Sequence, residues 1–160
     1  MKIFLSIIFS ALITSSALAS EGPLKVAVDE RWSLDYKGDG VQFYSLTRTK
    51  NESALLMFSK WPAPGNRDQI PVYLNQMAEG FLKEAKRNEE FSLDSDSYEK
   101  EKIEGIEFSG EAVVFTVQGG LYQTMFMLSN GDGIWNGQFS GSKERWKEAV
   151  EILKQLKRKG

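Results

Sequence analysis

The chain has no histidine and no cysteine. Without imidazole or thiol, the Ser-His-Asp and Cys-His nucleophile systems are out of reach, and so is every zinc site built from those ligands. The commonest general base near neutral pH goes with them. Disulfides and a lipid-bearing cysteine are excluded for the same reason. No GxxxxGK followed by Ser or Thr occurs after a strand-like run, nor any GxGxxG, so the usual phosphate-cradling loops are absent. An excess of positive charge is lacking too: 20 basic residues against 22 acidic ones leave no electrostatic footprint for nucleic acid. The enzyme chemistry that remains must use carboxylates, lysine, or a metal held by oxygen.

Long apolar runs are equally scarce. One lies at the start, residues 3–12, preceded by Lys2 and followed by Ala17-Leu18-Ala19. It is shorter than the ~20 apolar residues a membrane-spanning helix needs. A charged start, a short apolar run and a small-x-small site predict a signal peptide over residues 1–19, with Ser20 as the first mature residue. The expectation is an exported chain, periplasmic or secreted, with no membrane span after cleavage. The missing cysteines suit a bacterial periplasm better than a disulfide-stapled extracellular module. Removing 19 residues from 160 leaves 141, enough for one domain and one good core, residues 20–160. With Lys2 gone, 19 basic residues stand against 22 acidic ones, a net charge of −3.

What is present is strand pattern. Residues 105–141 hold three strand-like runs split by two glycine-rich turns. In the first, Ile106, Phe108, Gly110, Ala112 and Val114 share one face, while Glu107, Ser109 and Glu111 share the other, a period of two. From Val113 onward both faces are apolar, which predicts cover on both sides. Gly119-Gly120 suits a two-residue hairpin turn, residues 121–129 return, and Asn130-Gly-Asp-Gly133 turns the chain into residues 134–139. An antiparallel meander follows from this.

Earlier in the chain, residues 24–28, Trp32 with Leu34 and Tyr36, residues 41–49 and residues 54–60 alternate as strands. Pro62 and Pro64 end the last of these. A helix is predicted next, capped by Asn66 or Asp68, with Pro71 in its first turn and Ile70, Leu74, Met77, Phe81 and Leu82 along one stripe. Residues 91–101 read as a polar edge strand. Ser140 or Ser142 caps a closing helix over residues 143–157, with Trp146, Ala149, Val150, Leu153 and Leu156 inward. Strands with segregated helices predict an α+β fold, a central antiparallel sheet flanked by two main helices.

Candidate site residues are few. Glu107 and Glu111, on one strand face, lie ~13 Å apart at ~3.3 Å per residue, too wide for a glycosidase pair. Asp94-Ser-Asp-Ser-Tyr98 opens like a calcium loop but lacks its later ligand and glycine, so neither a metal nor a cofactor is implied. Trp32 and Trp146 belong to core stripes. Trp61, beside two prolines, and Trp135, after a turn, stand where a half-exposed binding aromatic is usually found.

The order of elements resembles the PsbP-like superfamily, which includes thylakoid-lumen PsbP proteins, periplasmic DcrB-type lipoproteins and a Ran-binding nuclear transport factor. The resemblance rests on the early Trp32-Ser-Leu34 strand, the mid-chain helix, the meander, and the segment from Leu121-Tyr-Gln to Ser140-Gly-Ser-Lys-Glu-Arg-Trp146. It covers nearly all of residues 26–157 and is architectural. The lipid-anchoring cysteine of DcrB-type members is missing. The resemblance implies an α-β-α sandwich and a non-enzymatic binding or assembly role, with no functional residue carried over. The leading expectation is therefore an exported protein-binding module of adaptor, accessory or immunity type, with another exported or envelope protein as its partner. Two alternatives stand beside it: a carrier of a small apolar ligand or lipid between the sheet and the Phe81 helix, and a carboxylate-dependent hydrolase.

Overall fold

The computed structural model describes residues 22–160 except 39, 63–64, 89–91 and 96. The expected signal peptide and its cleavage site lie outside the described residues, as do Phe91 and Asp96 of the expected edge strand.

The chain runs β1 (Leu24–Lys25), β2 (Trp32–Lys37), β3 (Phe43–Arg48), β4 (Ala54–Lys60), α1 (Ile70–Arg87), β5 (Glu99–Glu104), β6 (Ser109–Val117), β7 (Leu121–Ser129), β8 (Ile134–Gly141), α2 (Lys143–Lys154) and β9 (Lys157–Arg158). β2 to β8 form one sheet of seven strands in the order β2-β3-β4-β8-β7-β6-β5, antiparallel throughout. One main helix packs on each side, so the α+β architecture expected from the pattern is the one observed. Among the described residues no helix is long and apolar enough to cross a membrane.

The meander folds as its glycines dictate. Gly119 and Gly120 take φ of 88° and 73°, and Gly120 N donates to Val117 O at 3.0 Å. The loop between the paired Val117 and Leu121 has three residues, 118–120, one more than the two-residue turn expected, and its two positive angles are cheap only for glycine. Asn66 opens a short 3₁₀ turn into α1 by accepting from Asp68 N at 3.0 Å, and Pro71 occupies the first turn, where no donor is needed. Ser142 caps α2 by accepting from Arg145 N at 3.3 Å.

Several boundaries differ from the sequence pattern: the first strand, expected over residues 24–28, is only Leu24–Lys25, outside the main sheet, and the strand expected over residues 41–49 is Phe43–Arg48. The strand expected from Ile106 begins at Ser109, because residues 105–108 form a tight return in which Gly105 N donates to Phe108 O at 2.9 Å. Ile106 is exposed there, its N–H spent on Lys154 O at 2.8 Å. The polar edge strand lies later than expected, at Glu99–Glu104. The closing helix stops at Lys154, so that Leu156 seats in the core and Lys157-Arg158 pairs with Leu24-Lys25.

Two hydrophobic cores fill the two sides. On the α2 side, Tyr44, Leu46, Leu56, Phe58, Phe126 and Phe139 meet Trp146, Ala149 and Leu153. On the α1 side, Val113, Phe115, Met125 and Met127 meet Ile70, Leu74 and Ala78.

Candidate binding surface

Directly paired residues of an antiparallel ladder share a face, so each row across the sheet can be followed from one strand to the next. Three rows face α1. They read Ser45–Met57–Gln138–Met125–Val113, Thr47–Leu55–Ser140–Gln123–Phe115, and Phe43–Ser59–Asn136–Met127–Glu111. In each row the β7 and β6 end lies under or beside α1, with Met125, Val113, Phe115 and Met127 buried. At the β8, β4 and β3 end the same rows are half-buried or exposed. Ser33, Asp35 and Lys37 of β2 extend this surface and are exposed. The uncovered half spans four strands, ~14 Å across at ~4.8 Å per strand. Its apolar residues, Phe43, Leu55 and Met57, are half-buried and stand among polar ones, with Ser45, Thr47, Ser59, Asn136, Gln138 and Ser140 on the same three strands. Ser59 donates to Asn136 Oδ1 at 3.4 Å within it.

The tryptophans fall on opposite sides of this division. Trp61 follows β4, donates its N–H to Ile134 O at 2.8 Å, and is half-buried against Tyr73 of α1, with ring centroids 5.9 Å apart. It keeps the half-exposed position expected of it. Trp135 does not. It is only 6% exposed, on the α2 side, 5.7 Å from the ring of Tyr44 and 6.2 Å from that of Phe58. The reason is register: Trp135 pairs with Lys60 and Leu128, and the strand Ile-Trp-Asn-Gly-Gln-Phe puts Trp135 on the face of Phe139. The alternation of Asn136 and Gln138 against Gly137 and Phe139 carries that assignment in the sequence.

The carboxylate candidates separate as well. Glu107 sits in the return before β6 and accepts from Arg158 N at 2.7 Å, which helps hold β9. Glu111 lies within β6 between Lys102 and Met127. They do not share a cleft, and among the described residues no three His, Cys, Asp or Glu side chains converge.

A cluster not anticipated from sequence lies on the α2 side. Arg48, 2% exposed, donates to the carbonyls of Lys50 and Glu52, and its Nε lies 2.8 Å from Glu148 Oε2 without hydrogen-bond alignment. Arg145 and Arg31 also contact Glu148, the latter at 3.3 Å, and Arg145 and Ser142 both donate to Glu52 Oε2. The only sequence signal was an Arg at an inward-alternating position of β3. Beside this cluster runs an open groove of about 420 Å³, with Val28, Trp32 and Ile152 as apolar wall and Asp29, Arg31 and Glu151 as rim. Hydrogen bonds from the Arg31 side chain and backbone hold the Asp29 carboxyl down at about 2. A carboxylate so committed to its arginine is a poor proton carrier near neutral pH.

No protein-family model, no curated protein and no solved structure matches the chain.

Proposed function

We propose that this is an exported, non-enzymatic protein-binding module, of adaptor, accessory or immunity type. It docks another exported or envelope protein on the uncovered half of the α1-side sheet face. The observation that carries this reading is that half-face itself: three rows that begin in a packed core run on to half-buried Phe43, Leu55 and Met57, over which no helix of the described residues packs. Apolar side chains left without a covering helix and set among polar ones suit a contact made by another protein. Trp61 and Tyr73, stacked at the end of β4, add an aromatic contact beside it. The sandwich, with one helix on each side of the sheet, has the layer order that the PsbP-like resemblance implies, and that resemblance supports the same role. The carrier alternative finds less support: Phe81 and Phe115 pack 4.5 Å apart where a ligand would sit between helix and sheet. The hydrolase alternative lacks a carboxylate pair, since Glu107 and Glu111 are apart.

The test is site-specific photo-crosslinking in a periplasmic extract, with the reactive group at Ser45, Met57 or Gln138 and controls at Glu144 and Lys147 of α2. The expected result is one common adduct from the three face positions and none from the controls. Adducts from α2 alone, or none at all, contradict the proposal.

A further inference from the structure

The sheet has two outer strands, and the ladder fixes which of their main-chain groups are left over. Lys60 N donates to Gln42 O at 3.1 Å. In an antiparallel ladder, successive residues turn their N–H and C=O to opposite neighbours. Gln42, Tyr44 and Leu46 therefore bond towards β4, while Phe43, Ser45 and Thr47 bond towards β2. The β2 partners of those last three, Lys37, Asp35 and Ser33, are used up. Trp32 N turns the other way, to Asp29 O at 3.2 Å, as this phase requires. Leu34 and Tyr36 thus point their N–H and C=O out of the sheet, and among the described residues no protein group bonds them.

The side chains at this edge are also incomplete. Leu34 and Tyr36 are half-buried although their partners Leu46 and Tyr44 are fully buried, so the α2-side core thins at this edge. Asp35 and Lys37 stand exposed on the other face, at 61% and 74%. The opposite edge, β5, reads Glu-Lys-Glu-Lys-Ile-Glu, and a strand laid beside it would strip water from nearly every side chain. Alternating charge of that kind is how sheets guard an edge. β2 carries fewer charges, Asp35 and Lys37, both on one face, while Leu34 and Tyr36 on the other are apolar.

We propose that β2 pairs antiparallel with β2 of a second copy, about a two-fold axis at Tyr36. Three registers bring the free groups of the two edges together, and charge chooses among them. Centring on Asp35 sets that carboxylate against itself. Centring on Leu34 sends Lys37 towards Arg31 of the second copy, a like charge. Centring on Tyr36 sets Asp35 against Lys37 of the second copy, twice by symmetry, and puts Leu34 opposite the small Gly38. The two Tyr36 rings then meet beside Tyr44, whose ring centroid already lies 4.7 Å from that of Tyr36. The join makes the two uncovered half-faces one continuous surface. It does not depend on the protein-binding reading, because the Lys37→Asp monomer still carries the Met57 surface for crosslinking.

A single edge strand buries less than the ~1,600 Å² of a standard interface, so the dimer forms in a concentration-dependent way. Sedimentation equilibrium from micromolar to millimolar protein should show the mass doubling. Lys37→Asp and Asp35→Lys should each abolish that doubling, and the swapped double variant D35K/K37D should restore it. The chain has no native thiol. Each of Leu34→Cys, Asp35→Cys and Tyr36→Cys therefore reports one register. Tyr36→Cys alone should crosslink on oxidation, since opposed residues sit ~5.5 Å apart and the offset ones beyond disulfide reach. A monomer at every concentration overturns the proposal, and so does a dimer indifferent to Lys37→Asp. Crosslinking at Leu34→Cys or Asp35→Cys in place of Tyr36→Cys also overturns it.

Discussion

The two sides of the sheet share seven strands and differ in how far their cover extends. On the α2 side, α2, the segment after β1 and the return before β6 close over the strands from β2 to β5, and aromatic rings interlock beneath them. On the α1 side a single helix covers β6 and β7, and the rows run out from under it into solvent. The same backbone thus supports a complete core on one side and half a core on the other. The difference separates the side that holds the fold together from the side proposed to dock a partner. Substitutions on the closed side should unfold the protein, while those on the open half should leave it folded.

Four expectations sharpen that contrast. Trp146 is 2% exposed, packs 5.2 Å from Phe139 by ring centroids, and donates Nε1–H to Glu101 at 2.8 Å. Trp146→Ala should cost ~3–5 kcal/mol by urea denaturation, and a loss under ~1 kcal/mol would mean the α2 side is not the main core. On the α1 side, Leu74→Ala should cost ~2–4 kcal/mol, since α1 packs on fewer strands. Arg48→Met should follow at ~2–3 kcal/mol. Removing one member of a buried ion pair is usually worse, but Arg31 and Arg145 remain on Glu148. An unchanged urea midpoint would show the cluster to be idle.

The fourth concerns pH. Burial pushes the Tyr44 phenol up to about 12, against an ordinary value of 10.0. The folded state therefore holds a proton that the unfolded chain gives up. The corresponding stability is present below pH 10 and is lost as pH rises through about 12. Tyr44 also joins Leu24 N at 2.8 Å, so Tyr44→Phe should lower stability slightly at pH 7. Its decline between pH 10 and 12 should be shallower than the parent's, measured as urea midpoints at matched ionic strength. Parallel declines would place the phenol in water.

Much of this was legible in period and punctuation. Residues 54–60 alternate and fold as β4, Gly119-Gly120 falls in the hairpin loop though that loop is one residue longer than expected, and the stripe from Ile70 to Leu82 packs inward. The boundaries at Ile106 and Lys154 were not legible, because they depend on a contact between those two residues that is distant in sequence. Trp135 was readable from its neighbours, yet its place after a turn argued for exposure, and register decided otherwise. The uncovered half-face could not be found from sequence. Alternation gives each strand two faces, but which rows a helix covers is set by strand order. The ion cluster was hidden for the same reason, since Arg48 and Glu148 meet only through that order.

The central claim is that the open half-face binds and does not hold the fold together. Met57→Arg tests it most directly when urea stability and the crosslinked adduct from position 45 are read on the same protein. The account predicts a stability change under ~1 kcal/mol, as for a surface position, together with loss of the adduct. A folded variant that keeps the adduct, or a variant that unfolds, contradicts it.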